Sequence, residues 1–190
     1  MSRPNTRFWG LATFTSIMVC IIIFLLSCTY INTENAGAER NKNIVRGAFK
    51  ILQDADYDKL NQYIAEDYVR HCQATPDAVV ESLDDFKKLL GEWEKSFTDI
   101  ENKAEVFIAE GNLVAFYGSF NGTHTGQMGP FPPTGKKIYS VFAGYHRLAD
   151  EKIVETWVTW DNMAILQQLG LFPPPSDDVS LNSTWLSPAQ

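Results

Sequence analysis

The chain has 190 residues, 45% hydrophobic and 21% charged. Those proportions exclude wholesale disorder, collagen and coiled coil. The net charge is −7, and setting aside Arg3 and Arg7 leaves 14 basic against 23 acidic side chains, a surface that repels phosphate backbones, so no nucleic-acid partner is expected.

Arg3 and Arg7 precede an apolar run, Phe8–Leu26, and no charge occurs between Phe8 and Thr33. This is the pattern of an export signal or a short membrane anchor. Leu25-Leu26-Ser27-Cys28 resembles a bacterial lipobox, which implies cleavage before Cys28 and lipid attached to it. The alternative is an uncleaved N-terminal transmembrane anchor. Both readings place the rest of the chain outside the cytoplasmic membrane, in the cell envelope, because the positive flank stays inside. Cys20 lies in the apolar run, and Cys72 is left alone, so no disulfide is expected within the domain.

Residues 28–38 read as a tether, 39–174 as one domain and 175–190 as a polar tail. Over Arg40–Gln53, Ile44, Val45, Ala48, Phe49, Ile51 and Leu52 fall on one helical stripe. Asp56 can cap a short second helix carrying Tyr57, Leu60, Tyr63 and Ile64. Ala74–Asp77 reads as a loop. Ser82 with Asp85 forms a capping-box variant that opens a third helix, with a stripe from Leu83 to Phe97. The pattern then becomes extended. Lys103–Ala109 and Leu113–Phe120 pair about the turn Glu110-Gly111-Asn112. After a Gly/Pro-rich loop at Thr125–Gly135, Lys136–Leu148 and Ile153–Trp160 pair about Ala149–Lys152. Asn162–Leu169 is a short last helix ended by Gly170. Helices succeeded by strands argue an α+β fold, with helices on one face of a curved antiparallel sheet that encloses a pocket.

No glycine-rich phosphate loop, paired-Cys zinc pattern or Gly-x-Ser-x-Gly elbow is present, so no cofactor is expected. His71, His124 and His146 lack the i, i+4 spacing of a helical metal site, and no metal is expected. Cys72 beside His71 could be a nucleophile, but a small buried cysteine is the more economical reading. Asp161 admits two roles. Against Trp157, four residues earlier and on the same strand face, its carboxylate would lose solvation and become a useful base. Immediately before a helix, it is also a natural N-cap, the role that local sequence favours.

Several motifs occur in order: Gly122-Thr123-His124-Thr125-Gly126, Pro132-Pro133-Thr134-Gly135-Lys136-Lys137, Tyr145-His146-Arg147-Leu148, the Trp157-x-x-x-Asp161 pair and Gln168-Leu169-Gly170. Tyr68-Val69-Arg70-His71 and Phe97-Thr98-Asp99 precede them. Together they resemble the SnoaL-like polyketide-cyclase (ester cyclase) family of the nuclear-transport-factor-2-like superfamily, over roughly residues 38–174. The resemblance implies a cone of three or four helices over a curved antiparallel sheet. It implies an aspartate acid/base at Asp161, assisted by a histidine at His146, removing a proton α to a carbonyl without metal or cofactor. It also implies that a homodimer could form through the open sheet face.

Two functions fit this pattern. In the first, Asp161 and His146 do cofactor-free acid/base chemistry on a small apolar carbonyl compound, through aldol-type cyclisation, isomerisation or hydrolysis. His71, His124 and Trp157 then line the pocket under the loop Thr125–Gly135. In the second, the protein is an envelope lipoprotein that binds a small apolar ligand in the same cavity without turning it over.

Overall fold

The computed structural model describes residues 34–172 and Met18. The expected export signal, Cys28 and the polar tail lie outside the described residues. Among those described, no helix is long and apolar enough to cross a membrane.

The first helix, α1, spans residues 34–54 and begins inside the segment expected to be a tether. Its first turns hold residues compatible with a helix, and Lys42 pairs with Glu39 three positions back. The apolar stripe behaves as the spacing predicts, with Val45, Ala48 and Ile51 buried. The expected second helix is a single 3₁₀ segment, Tyr57–Gln62, and Asp56 does not cap it with its side chain.

The next segment departs from the expected order, because Ile64–Cys72 is a strand, β1. Then come α2 (Leu83–Ser96), β2 (Phe97–Glu110), β3 (Leu113–His124), β4 (Lys137–Ala149), β5 (Lys152–Trp160) and α3 (Asn162–Leu169). Asn41 of α1 donates to the Gly111 carbonyl at 2.9 Å, tying that helix to the β2–β3 turn. Ser82 caps α2 as expected: its hydroxyl accepts the Asp85 amide at 3.1 Å and donates to the Asp85 carboxylate at 2.7 Å. Phe97, read as the last residue of that helix, instead starts β2.

The five strands form one sheet in the order β1-β5-β4-β3-β2. β2 to β5 pair antiparallel as expected. β1 adds to the edge of β5 in parallel, so the sheet is not wholly antiparallel. Register shifts within β2 and two glycines let the sheet bend. A Cβ on Gly144 would lie 2.1 Å from the Trp157 carbonyl oxygen and 2.8 Å from the Phe116 ring. One on Gly118 would meet the Lys103 carbonyl oxygen at 2.3 Å and Phe142 at 2.6 Å. Both positions therefore let an aromatic ring lie across bare backbone on the inner face.

The curved sheet and the helices enclose two apolar clusters. One contains Val45, Leu60, Val114 and Ile153; the other contains Phe97, Ile138, Ile165 and Leu169. Completely burying such an aliphatic side chain contributes roughly 1.5–3 kcal/mol. This is an α+β fold of helices packed on a curved, unclosed sheet.

Candidate functional site

A cavity of about 180 Å³ lies between the inner sheet face and the helices. Phe49 and Leu52 of α1, Phe86, Leu89, Leu90 and Trp93 of α2, and Ile165 of α3 form its roof. Phe116 and Phe120 of β3, Phe142 of β4, and Val158 and Trp160 of β5 form most of its floor. Polar groups are few: Arg70, Asn102, Ser140, His146 and Thr156, with Tyr57 and the exposed Glu94. An apolar chamber with a few placed polar groups is the usual form of a small-molecule site. Its size suits one substituted ring, since an apolar cavity of roughly 150 Å³ holds benzene.

Strand alternation decides which side chains enter. On β5, Thr156, Val158 and Trp160 face inward, so Trp157 faces out. His146 lies opposite Thr156 on β4 and also faces inward. It is 8% exposed, with its ring stacked on Phe116 at 4.4 Å between centroids. Its Nδ1 and Thr156 Oγ1 share a 2.7 Å hydrogen bond. Its Nε2 is buried and has no partner. Burial lowers its pKa from the usual 6.5 to about 3, so the ring is neutral at ordinary pH. Tyr68 completes this polar chain. Burial pushes its hydroxyl up to about 12, and a hydrogen bond with Thr156 acts in the opposite direction.

The other expected site residues do not converge here. His71 stacks on Trp157 at 4.9 Å, and Trp157 on Tyr145 at 4.7 Å, all on the outer sheet face. There His71 Nε2 and Glu155 share a 2.8 Å contact, and Arg147 Nε donates to the same carboxylate at 2.9 Å. His71 and then Arg147 hold Glu155 below its usual carboxylate range. His124 is fully buried in the second apolar cluster region, against Phe97, with Nδ1 3.1 Å from Thr134 Oγ1. The loop Thr125–Gly135 is tied to the α2–β2 junction through Ser96, and none of its residues lines the cavity. Cys72 is a half-buried free thiol at the end of β1.

Asp161 is exposed and is not among the lining residues. Its Oδ1 accepts the Ala164 amide at 3.0 Å, which makes it the N-cap of α3. Of its two sequence-level roles, this contact is the capping one. Asp161→Ala is expected to cost about 1 kcal/mol of stability, and Asp161→Asn only a few tenths. Chemical denaturation of the two variants beside the parent checks this.

Sequence reasoning missed Arg70, Asn102, Thr156 and Trp160 as lining residues. For the strand neighbours of His146, the signal was parity through the β4–β5 hairpin, which becomes readable once one inward residue is known. Among the described residues, no three His, Cys, Asp or Glu side chains meet to hold a metal ion.

A family model described as SnoaL-like polyketide cyclase matches residues 42–169. The chain belongs to this family. The matched SnoaL-like region contains the whole sheet and both capped helices, α2 and α3. Among solved structures, wild-type IdmH, a candidate polyketide cyclase from Streptomyces antibioticus, is 26% identical. The match covers 68% of this chain and 98% of that one, with a TM-score of 0.61. AclR, a candidate hydroxylase from Streptomyces galilaeus, is also 26% identical, over 73% of this chain and 89% of that one, with a TM-score of 0.62. A SnoaL-like protein from Jannaschia sp. CCS1 shares the fold at 19% identity, over 73% of this chain and 96% of that one, with a TM-score of 0.64. No curated protein matches this SnoaL-like chain.

Proposed function

We propose that this protein is a cofactor-independent enzyme of the ester-cyclase type, acting on a small, largely apolar carbonyl compound held in the cavity. One observation carries the reading: a neutral histidine, fixed through Nδ1, keeps a buried and unpartnered Nε2 in an apolar chamber. If the Thr156 hydroxyl donates to Nδ1, Nε2 bears the proton. It then donates to the substrate's carbonyl oxygen, and more strongly to the enolate that forms when an α-proton leaves. A neutral imidazole suits that task, because the donor gives up no proton of its own.

The buried, unpartnered Nε2 supports His146 as this donor, and because Asp161 caps α3 outside the lining, this reading takes the base from another carboxylate. Glu94 is the one carboxylate among the lining residues, and Tyr57 donates to its Oε1 at 2.9 Å. In this reading Glu94 accepts the α-proton; the enolate carbon then adds to a second carbonyl carbon of the same molecule, whose C=O π bond opens to an alkoxide that takes the proton from Glu94, or the enolate carbon is itself reprotonated by Glu94. The match to IdmH supports cyclisation; the match to AclR, a candidate hydroxylase, shows that related folds carry other activity names.

Acetophenone, a one-ring ketone with exchangeable α-protons, tests the reading without the natural substrate. The full-length chain in D₂O is expected to accelerate deuterium entry into its methyl group, read by NMR. Binding of acetophenone without exchange would instead favour a ligand-binding protein.

A further inference from the structure

The polar groups of the cavity also bear on what the ligand carries at its other end, an inference that rests on the small-molecule reading above. Arg70 of β1 is in register with Thr156 of β5, and Thr156 with His146 of β4. The three residues form one row across adjacent strands, all on the inner face. Strand spacing puts the Cα atoms of Arg70 and His146 roughly 10 Å apart. A ligand between the helices and the floor therefore spans from the histidine towards the guanidinium.

Arg70 is supplied with too few acceptors for its position. Its Nη1 is buried and makes no hydrogen bond. Among the described residues, no carboxylate lies within ion-pair distance of it. The group it does contact is the Trp160 ring, with Cζ 5.5 Å from the centroid. That contact supplies no hydrogen-bond acceptor for the guanidinium N–H groups. Arg70 as a whole is half-buried, but a charged N–H that is buried without an acceptor is costly, and an anion brought by a ligand would relieve it.

We propose that Arg70 is the recognition site for a carboxylate carried by the ligand, so that the protein prefers a small apolar keto acid over a neutral ketone. A planar carboxylate matches the two-pronged edge of a guanidinium. The chamber is otherwise apolar and holds about one ring, which suits a carboxylate on an aromatic or aliphatic body.

Benzoate and acetophenone have nearly the same shape and differ in charge, so the pair isolates this contact. Binding of each to the full-length chain is measured by ligand-observed NMR titration. The expected result is benzoate at least tenfold tighter than acetophenone. Arg70→Gln removes that preference, with benzoate affinity falling at least tenfold more than acetophenone affinity, while Arg70→Lys keeps part of it. Retained acetophenone binding by the variants reports that the cavity has survived the substitution. Benzoate no tighter than acetophenone in the parent chain, or a preference that survives in Arg70→Gln, overturns the carboxylate site and leaves the ketone reading standing. Failure of both compounds to bind the parent overturns the cavity reading and this inference together.

Discussion

The unfolding free energy of this protein is expected to fall as pH drops from about 6.5 to about 3, and a His146→Phe chain is expected to lose much less over the same range. The cause is the buried imidazole, whose folded pKa is lowered by desolvation to about 3. In the unfolded chain it titrates near 6.5. Above that pH the ring is neutral in both states and adds no pH dependence. Between the two values only the unfolded state binds the proton, so stability rises with pH through this window and is lost as pH falls. The slope is about 1.4 kcal/mol per pH unit, and the whole effect is on the order of 4 kcal/mol. Carboxylates elsewhere titrate in the same range, so the quantity to compare is the difference between parent and variant. Urea unfolding of both chains at a series of pH values supplies it. Parallel curves would mean that His146 is protonated in the folded protein or is reached by water.

The second large effect concerns turnover. His146→Phe is expected to slow deuterium exchange into acetophenone by about 10²–10³-fold, the usual cost of removing a donor to a developing oxyanion. Phenylalanine keeps the ring stacked on Phe116, so the loss reads the missing N–H and not a vacated floor. Glu94→Gln is expected to cost about 10²–10⁴-fold, as for other positioned acid/base groups. Asp161→Asn preserves the cap of α3 and is expected to leave exchange unchanged. The reverse pattern, with Asp161→Asn abolishing exchange and Glu94→Gln silent, would return the base to the end of β5.

The local signals for this fold were strong where backbone chemistry is explicit. Ser82 with Asp85, the turn at Gly111, and Asp161 with Gly170 bracket their elements closely. Gly170 ends α3 at φ 72°, its N–H reaching the Gln167 carbonyl. β1 escaped because Glu66 and Asp67 interrupt its alternation and its partner strand is some ninety residues away. A parallel edge strand is stabilised by that distant pairing, and local sequence carries no trace of it. The site was legible to the extent that one histidine could be chosen. Trp157 and Trp160 both sit on β5, and only packing of the helices decides which face is concave. That decision placed Thr156, Trp160 and Arg70 inside, and moved His71 and Trp157 to the outer stack.

At the centre of the proposed chemistry, His146 presents a proton on Nε2 to the ligand's carbonyl oxygen. The direct measurement is a long-range ¹⁵N–¹H NMR spectrum of the histidine imidazoles, recorded near pH 7 with and without acetophenone. The expected result is a neutral His146 with the proton on Nε2, whose proton resonance moves downfield as the ketone binds. A proton on Nδ1, or a His146 resonance that stays fixed while acetophenone binds, would contradict it.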